Sequence, residues 1–157
     1  MKRLSFWISI GFLFIIFGCD SNSVFNGKKD FSEKYWSFND PAEFEFEIKE
    51  TAKPYNFFLN VRNTSRYQFQ NIYLQYYLED STGMLLAKEL KNIQLFNSIT
   101  GVPLGEGIGD IFDIEKIVLE SYSFQNPGKY KLRFDQFMRQ DTLPEILSVG
   151  LRIEILE

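Results

Sequence analysis

The sequence contains no histidine, and this absence removes several classes of catalytic and metal site at once. A Ser-His-Asp triad, a Cys-His nucleophile pair and a histidine-ligated zinc site all require an imidazole. Cysteine occurs once, at position 19, so no intrachain disulfide can form. Carboxylates remain as candidate catalytic groups, but the spacing of the 21 acidic residues selects no catalytic pair. We therefore expect a protein that is not an enzyme and that holds no cofactor.

The chain also lacks an apolar run long enough to form a stable membrane span. Its one such run covers residues 4–17 and follows the basic pair Lys2 and Arg3. A helix of this length would extend about 21 Å, short of the roughly 30 Å hydrocarbon core of a bilayer. A basic start, a short apolar run and a polar exit are typical of a signal peptide. We therefore assign residues 1–18 to a signal peptide with a helical core.

The apolar run ends at Ile16-Phe17-Gly18-Cys19, which resembles the lipobox of bacterial lipoproteins. The resemblance implies cleavage before Cys19 and attachment of acyl chains to this cysteine, although Phe17 replaces the small residue usual at its position. The alternative is an uncleaved anchor helix with a free thiol. Two or three acyl chains would hold the protein firmly on membrane lipid, because each buried methylene contributes about 0.8 kcal/mol.

Residues 19–34 are polar and contain glycine and serine, so we predict that they form the lipidated cysteine and a flexible tether. No acidic run of the kind that resembles a surface-export signal follows Cys19. The sequence therefore favours a periplasm-facing protein of the cell envelope, anchored to the outer membrane.

Clustered positive charge is missing as well. The chain has 17 Lys and Arg against 21 Asp and Glu, and loss of Lys2 and Arg3 with the signal peptide leaves a net charge of −6. Binding to nucleic acid requires Lys and Arg grouped against phosphates. The pair Lys28-Lys29 is the only dense basic group downstream, so we expect no nucleic-acid partner.

From residue 35 onward, apolar and polar residues alternate with a period of two, which predicts β-strands. No long amphipathic helix is indicated, so residues 35–157 are predicted to form a single all-β domain, an antiparallel β-sandwich of immunoglobulin-like or jelly-roll type. Residues 126–130 resemble the entry to a late strand of immunoglobulin-like sandwiches, where a tyrosine ties a corner to nearby backbone. About eight strands are expected, at residues 43–48, 55–62, 72–78, 84–90, 93–96, 114–124, 129–137 and 149–155.

One glycine-rich segment, residues 104–110, interrupts this pattern. It has neither the spacing of a dinucleotide-binding motif nor the Lys-Ser/Thr of a phosphate-binding loop, so we expect glycines that allow positive φ or close backbone approach. Asp110, Asp113 and Glu115 lie together here and are a candidate set for calcium, which prefers several oxygen ligands. The alternative is that these carboxylates are simply solvated.

Two predicted strands carry aromatic and amide side chains on the face opposite the expected core. Exposed aromatics with polar tips are frequent at interfaces and can also stack on sugar rings. The alternative is that both faces of a central strand are covered. The residues of this candidate partner-binding surface are Phe58, Asn60, Arg62, Tyr73, Gln75 and Tyr77.

Six short motifs follow one another over nearly the whole chain in an order that is recognisable as a set. They are Gly18-Cys19, residues 55–64, residues 104–110, residues 127–130, residues 136–139 and residues 149–154. In this order and spacing the chain resembles the gliding-motility lipoproteins of the GldH type, found in Bacteroidota.

The resemblance implies a cell-envelope lipoprotein needed for surface gliding and associated with the machinery that also serves type IX secretion. No catalytic residues are known for the family, so none can be assigned here. Other envelope proteins of a motility or secretion complex are therefore the expected partners, and a non-enzymatic adaptor is the expected role. A glycan-binding lipoprotein that uses the aromatic surface is the alternative.

Overall fold

The computed structural model describes residues 22–157, and strands account for most of that range. The predicted signal peptide and the predicted lipidation site at Cys19 lie outside the described residues. The strands are β1 (Ser23–Asp30), β2 (Tyr35–Ser37), β3 (Ala42–Ile48), β4 (Tyr55–Thr64), β5 (Asn71–Asp80), β6 (Leu85–Gln94), β7 (Glu106–Ile108), β8 (Ile111–Tyr122), β9 (Gly128–Gln136), β10 (Thr142–Pro144) and β11 (Ile146–Ile155).

Two antiparallel sheets face each other across one core. The five-stranded sheet has the order β1-β11-β4-β8-β7, and the four-stranded sheet has the order β3-β9-β5-β6. Strands β2 and β10 form a separate two-stranded ribbon. The prediction of an all-β antiparallel sandwich is thus confirmed. The separate strand expected at residues 93–96 does not form, because residues 93 and 94 are the end of β6 and residues 95 and 96 belong to the following connection.

Alternating side chains build the core, as β3 illustrates. Its apolar residues are buried and its glutamates are exposed along the whole strand. Rings from both sheets meet inside: Phe46 on β3 contacts Phe57 on β4, with ring centres 5.8 Å apart. In the same cluster, the ring centres of Phe124 and Tyr130 are 4.4 Å apart. Burial of each such ring contributes about 1.5–3 kcal/mol, so these aromatics are a major source of the stability of the domain.

The prediction of a flexible tether over residues 19–34 is wrong for Ser23–Asp30, which form strand β1. This strand pairs with β11 along the edge of the five-stranded sheet. Its Phe25 ring lies 6.3 Å from Phe44 and 5.9 Å from Phe46 of the facing sheet. The pattern was hidden because the other inward positions of the strand are not apolar: Gly27 is pressed against the Phe25 ring, and Lys29 pairs with Asp40.

Residues 31–36 also belong to the folded domain. Phe31 is buried and stacks on Trp36, with ring centres 5.5 Å apart. The indole Nε1 of Trp36 donates a hydrogen bond to the carbonyl of Asp40. Since Leu143 of the paired strand β10 is also fully buried, the β2–β10 ribbon closes one end of the core.

The tyrosine corner predicted at residues 126–130 is present. The Tyr130 hydroxyl donates a hydrogen bond of 2.6 Å to the carbonyl oxygen of Asn126. Gly128 between them has a φ of 152°, within the region that favours glycine. The bond fixes the entry to β9, the strand that carries Lys129, Lys131, Arg133 and Asp135.

The path of the chain gives the sandwich two distinct ends. The turns at residues 49–54, 81–84 and 123–127 lie at the end where β1 begins, which we call the proximal end. The connections at residues 31–41, 65–70, 95–105 and 137–145 lie at the opposite, distal end. The start of the described chain is therefore at the proximal end, where the Ile155 amide donates to the carbonyl of Asn22.

Candidate functional site

The six residues of the predicted aromatic surface do not form one surface. Strand β4 belongs to the five-stranded sheet and β5 to the four-stranded sheet, so their outward side chains lie on opposite sides of the molecule. The prediction of a single surface is therefore wrong. One outer face carries Phe58, Asn60 and Arg62, and the other carries Tyr73, Gln75 and Tyr77.

On the five-stranded face, an arginine covers the aromatic ring. The guanidinium carbon of Arg152 on β11 lies 4.1 Å from the centre of the half-buried Phe58 ring. The same guanidinium binds Glu115 on β8, with an Nη2–Oε1 distance of 2.6 Å, and Glu154 on its own strand. Phe58 is thus the base of a charged cluster and not an open stacking platform.

A second arginine lies further towards the distal end of this face. Arg62 donates hydrogen bonds from Nε and Nη2 to both carboxylate oxygens of Asp113, at 2.8 to 3.1 Å. This two-pronged geometry holds both side chains in place, and the hydrogen bonds raise the pKa of Arg62. Asp113 is consequently engaged in a structural ion pair.

The structure does not assemble the candidate calcium ligands. Asp113 is held by Arg62 and Glu115 by Arg152, while Asp110 lies in the turn before β8. Within residues 22–157, no three side chains with ligating carboxylates or thiols lie close enough together to hold a metal ion. The calcium hypothesis therefore does not fit this arrangement.

The glycine-rich segment is a tight hairpin. Strands β7 and β8 pair from Ile108 with Ile111, which leaves Gly109 and Asp110 as the two turn residues. Gly109 has a φ of 70°, and a Cβ on Gly107 would lie 2.0 Å from the carbonyl oxygen of Ile111. The expected need for positive φ and close backbone approach is confirmed.

Charge is ordered in rows on the four-stranded face. The three exposed glutamates of β3 each stand directly opposite a basic residue of β9 in the antiparallel register. Opposite charges facing each other across strands stabilise a sheet. Each glutamate of the acidic row thus faces one cation of the neighbouring strand: Glu43 faces Arg133, Glu45 faces Lys131 and Glu47 faces Lys129.

Tyr77 lies in the middle of one of these rows, between two cations. The guanidinium carbon of Arg133 is 4.4 Å from the centre of its ring, and Nζ of Lys88 on β6 is 5.6 Å from it. Both distances are within the range of cation–π attraction. The row Glu43, Arg133, Tyr77 and Lys88 crosses all four strands and holds the tyrosine in a fixed position.

Beside this row lies a carboxylate that is poorly solvated. Arg133 Nε and Asp135 Oδ1 are 3.1 Å apart, and both atoms are shielded from solvent in an ion contact that lacks the geometry of a hydrogen bond. Burial raises the pKa of the Asp135 carboxyl above its ordinary value, and the neighbouring Glu43 adds to this effect. The Arg133 charge opposes both effects but does not outweigh them.

The distal end of the four-stranded face has a groove of about 420 Å³ with a mixed aromatic and polar lining. The Phe137 amide donates to the carbonyl of Tyr73, so the chain beyond β9 continues alongside β5 and forms one wall. Tyr73 and Phe137 are 39% and 49% exposed, respectively. The lining residues are Phe69, Tyr73, Phe137, Met138, Arg139 and Gln140.

Sequence reasoning named Tyr73 but missed the rest of this groove. Phe137 was expected to end a strand, and Phe69 lies in a connection without a periodic pattern. The motif at residues 136–139 is the one sequence signal for this wall of the groove.

The structure over residues 22–157 contains no helix that could span a bilayer.

Comparison with known proteins supports the resemblance inferred from the motifs. The family model described as GldH lipoprotein matches residues 23–153. Gliding motility lipoprotein GldH of Flavobacterium johnsoniae is 29% identical over 147 residues, covering 89% of each chain. A gliding motility lipoprotein GldH homolog of Christiangramia forsetii is 27% identical over 160 residues, covering 98% of this chain and 96% of the relative.

Among solved structures, the infectious bursal disease virus VP2 subviral particle overlaps 85% of this chain and 31% of its own, at 12% identity and a TM-score of 0.37. That score is too low to relate the two folds. The family match covers nearly all of the described sandwich, from the start of β1 to Ile153, two residues before the end of β11. The chain therefore belongs to the GldH lipoprotein family.

Proposed function

We propose that this lipoprotein is a non-enzymatic adaptor of the gliding and type IX secretion-linked machinery, held on membrane lipid through acylated Cys19. The gliding-motility names of its relatives support the setting. The preferred location is the outer membrane, with the sandwich facing the periplasm. The proposed partners are other envelope proteins of the motility complex.

The single observation that carries the adaptor role is the open groove with exposed aromatic side chains on the four-stranded face. Tyr73 and Phe137 remain exposed there, and Leu90 on β6 is a further exposed apolar side chain of this face, at 47%. Leu90 stands opposite Gln75 and is thus a diagonal neighbour of Tyr73. Exposed apolar side chains rimmed by ordered charges are typical of surfaces that bind proteins.

The glycan-binding alternative is less well supported. Phe58 is covered by Arg152, and Tyr77 is held between Arg133 and Lys88. A sugar ring would have to displace these cations in order to stack, which leaves Tyr73 as the one accessible ring of the predicted set. A tyrosine fluorescence titration against a panel of oligosaccharides should accordingly remain flat.

The adaptor role can be tested by disrupting the groove while retaining the anchor. The protein is crosslinked in cells, solubilised in detergent and recovered together with its partner. We expect Tyr73→Ser combined with Phe137→Ser to reduce the amount of recovered partner at least tenfold. Both side chains are exposed, so folding should be retained. Ile117→Ser is the matched control, because this exposed aliphatic lies on the opposite face. Equal recovery with both variants would argue against the groove as the docking surface.

The anchor is tested separately by Cys19→Ser. We expect this variant to lose lipid labelling and to leave the membrane fraction, while its thermal unfolding stays unchanged because Cys19 precedes β1. Full retention in the detergent phase of a partitioning experiment would refute attachment through Cys19.

A further inference from the structure

We propose that the β7–β8 edge carries a second docking surface, which binds a protein partner with aliphatic side chains at its centre and lysine or arginine at its rim. We call this surface the distal patch and define it by Leu104, Ile108 and Ile111. The proposal rests on the adaptor function, since a linker between proteins needs a contact site apart from the groove. It lies on a different sheet from the groove, and at the opposite edge and end of the five-stranded sheet from the start of β1.

The three aliphatic side chains of the distal patch are open to solvent. Ile108 is 94% exposed at the hairpin turn, Leu104 is 49% exposed and Ile111 is 39% exposed. Two grooves meet here: one is lined by Ile108 and Ile111, the other by Leu104, and both include Glu106 and Asp113. The two grooves therefore adjoin along the edge, where they share Glu106 and Asp113. Single exposed aliphatics are ordinary, whereas a clustered set at a sheet edge marks an interaction site.

The backbone around the patch is rigid, so the side chains are presented in one arrangement. A Cβ on Gly105 would lie 2.5 Å from the carbonyl oxygen of Asp113, which shows how closely the segment before β7 approaches β8. The Ser65 amide donates to the carbonyl of Asp110 and fixes the turn to the end of β4. A preorganised surface loses less conformational entropy on binding than a mobile loop does.

Charge at the patch selects the sign of the partner. Asp113 is neutralised by Arg62 and Glu115 by Arg152. Glu106 and Asp110 are exposed, and no ion pair to either is formed within residues 22–157. A partner surface with lysine or arginine would complement these two carboxylates. A second copy of this chain would instead bring like charges together.

Position separates the patch from the anchoring bilayer. Cys19 precedes β1 by four residue steps, which span at most about 14 Å. The β7 edge lies four strand spacings from β1, or about 19 Å across the sheet. Gly107 lies level with Asn63 of β4, whereas Ser23 lies level with Asn56, so the patch is about seven residues, or about 23 Å, further along the strand direction. The patch thus lies about 30 Å from the start of β1, so its occupant is a protein that meets the domain at its far edge.

The test uses the full-length lipidated protein in its own cells, with a photo-crosslinking residue at position 108. Met84 provides the matched control position, because it is 59% exposed in a turn at the proximal end. We expect a discrete adduct with another polypeptide from position 108 and none of the same mass from position 84. Glu106→Lys combined with Asp110→Lys should reduce that adduct at least tenfold.

Four outcomes would overturn the proposal. They are an adduct between two copies of the chain, an adduct with lipid, the absence of any adduct at position 108, and an adduct that survives the charge reversal. The groove variants separate this result from the adaptor proposal itself. If Tyr73→Ser with Phe137→Ser abolishes recovery of the groove partner while position 108 stays silent, the adaptor role stands and the distal patch does not.

Discussion

The Arg133 guanidinium on β9 lies over the Tyr77 ring of β5, while the same arginine faces Glu43 of β3 in the antiparallel register. This arrangement links three of the four strands of one sheet through outward side chains. Because the Arg133 side chain is only 29% exposed, the cation is partly shielded and its attraction to the ring is stronger than at an open surface.

We expect the Arg133 and Tyr77 side chains to be energetically coupled. A double-mutant cycle with Arg133→Ala and Tyr77→Leu should give a coupling free energy of about 0.5–1 kcal/mol in urea unfolding. Lys129→Ala is the control, because it lies on the same strand and face but opposite Glu47, away from the ring. Additive effects of Arg133→Ala and Tyr77→Leu would contradict the assignment of a cation–π contact.

Stability should depend on the ionisation of Asp135. Burial raises its pKa above the ordinary value of 3.8, so the charged form is penalised in the folded state. The protonated Asp135 carboxyl therefore contributes its full stabilisation below about pH 3.8, and this contribution is lost as the pH rises through the folded-state pKa. Relative to the unmodified protein, Asp135→Asn should gain free energy of unfolding over that pH range.

This gain can be followed by urea unfolding at several pH values, with carbon NMR of the carboxyl group to give its pKa directly. At the acid end the two proteins should differ least, because Asp135 is then protonated in both the folded and the unfolded chain. Parallel stability curves at all pH values would show that the carboxyl is not perturbed by burial.

Strand β1 should contribute to stability as a part of the core. Replacement of Phe25 by alanine removes a partly buried ring that contacts Phe44 and Phe46, and we expect a loss of about 2–4 kcal/mol in the free energy of unfolding. Asn26→Ala on the outer side of the same strand should change it by less than about 0.5 kcal/mol. Calorimetry or urea unfolding distinguishes the two, and equal small effects would restore the idea of a flexible tether.

The β7–β8 hairpin should be intolerant of a side chain at position 107. Gly107→Ala places a methyl group against the carbonyl of Ile111, and overpacking of this kind costs about 1–3 kcal/mol. Because the strain is local, amide hydrogen exchange in β7 and the start of β8 should accelerate more than exchange in β3 and β9. Glu106→Ala, one residue earlier and exposed, should leave the exchange pattern unchanged.

The strands with a clear period of two were predictable because alternate side chains point to opposite faces. Residues 43–48 satisfy this rule fully, as the burial along β3 shows. Strand β1 does not, because only Phe25 among its inward positions is a large apolar residue. Its assignment depends on pairing with β11, more than a hundred residues away in the chain. No local pattern contains that information.

The division of the aromatic residues between two faces could not be predicted for a related reason. Strands β4 and β5 follow each other in sequence, but their order in the chain does not determine whether they share a sheet. Strand β4 pairs with β8 and β11, whereas β5 pairs with β6 and β9. The connection at residues 65–70 crosses from one sheet to the other, and it carries Phe58 and Tyr73 to opposite sides.

The hydrogen bond from the Ile155 amide to the carbonyl of Asn22 has a practical consequence for anyone handling this protein. It places the end of the last strand beside Asn22, so an affinity tag fused after Glu157 would emerge on the side of the proposed lipid attachment, where a lipid surface or a detergent micelle would hinder antibodies and resins. An epitope inserted in the exposed turn at residues 98–101, at the other end of the sandwich, should stand clear of that surface and remain accessible.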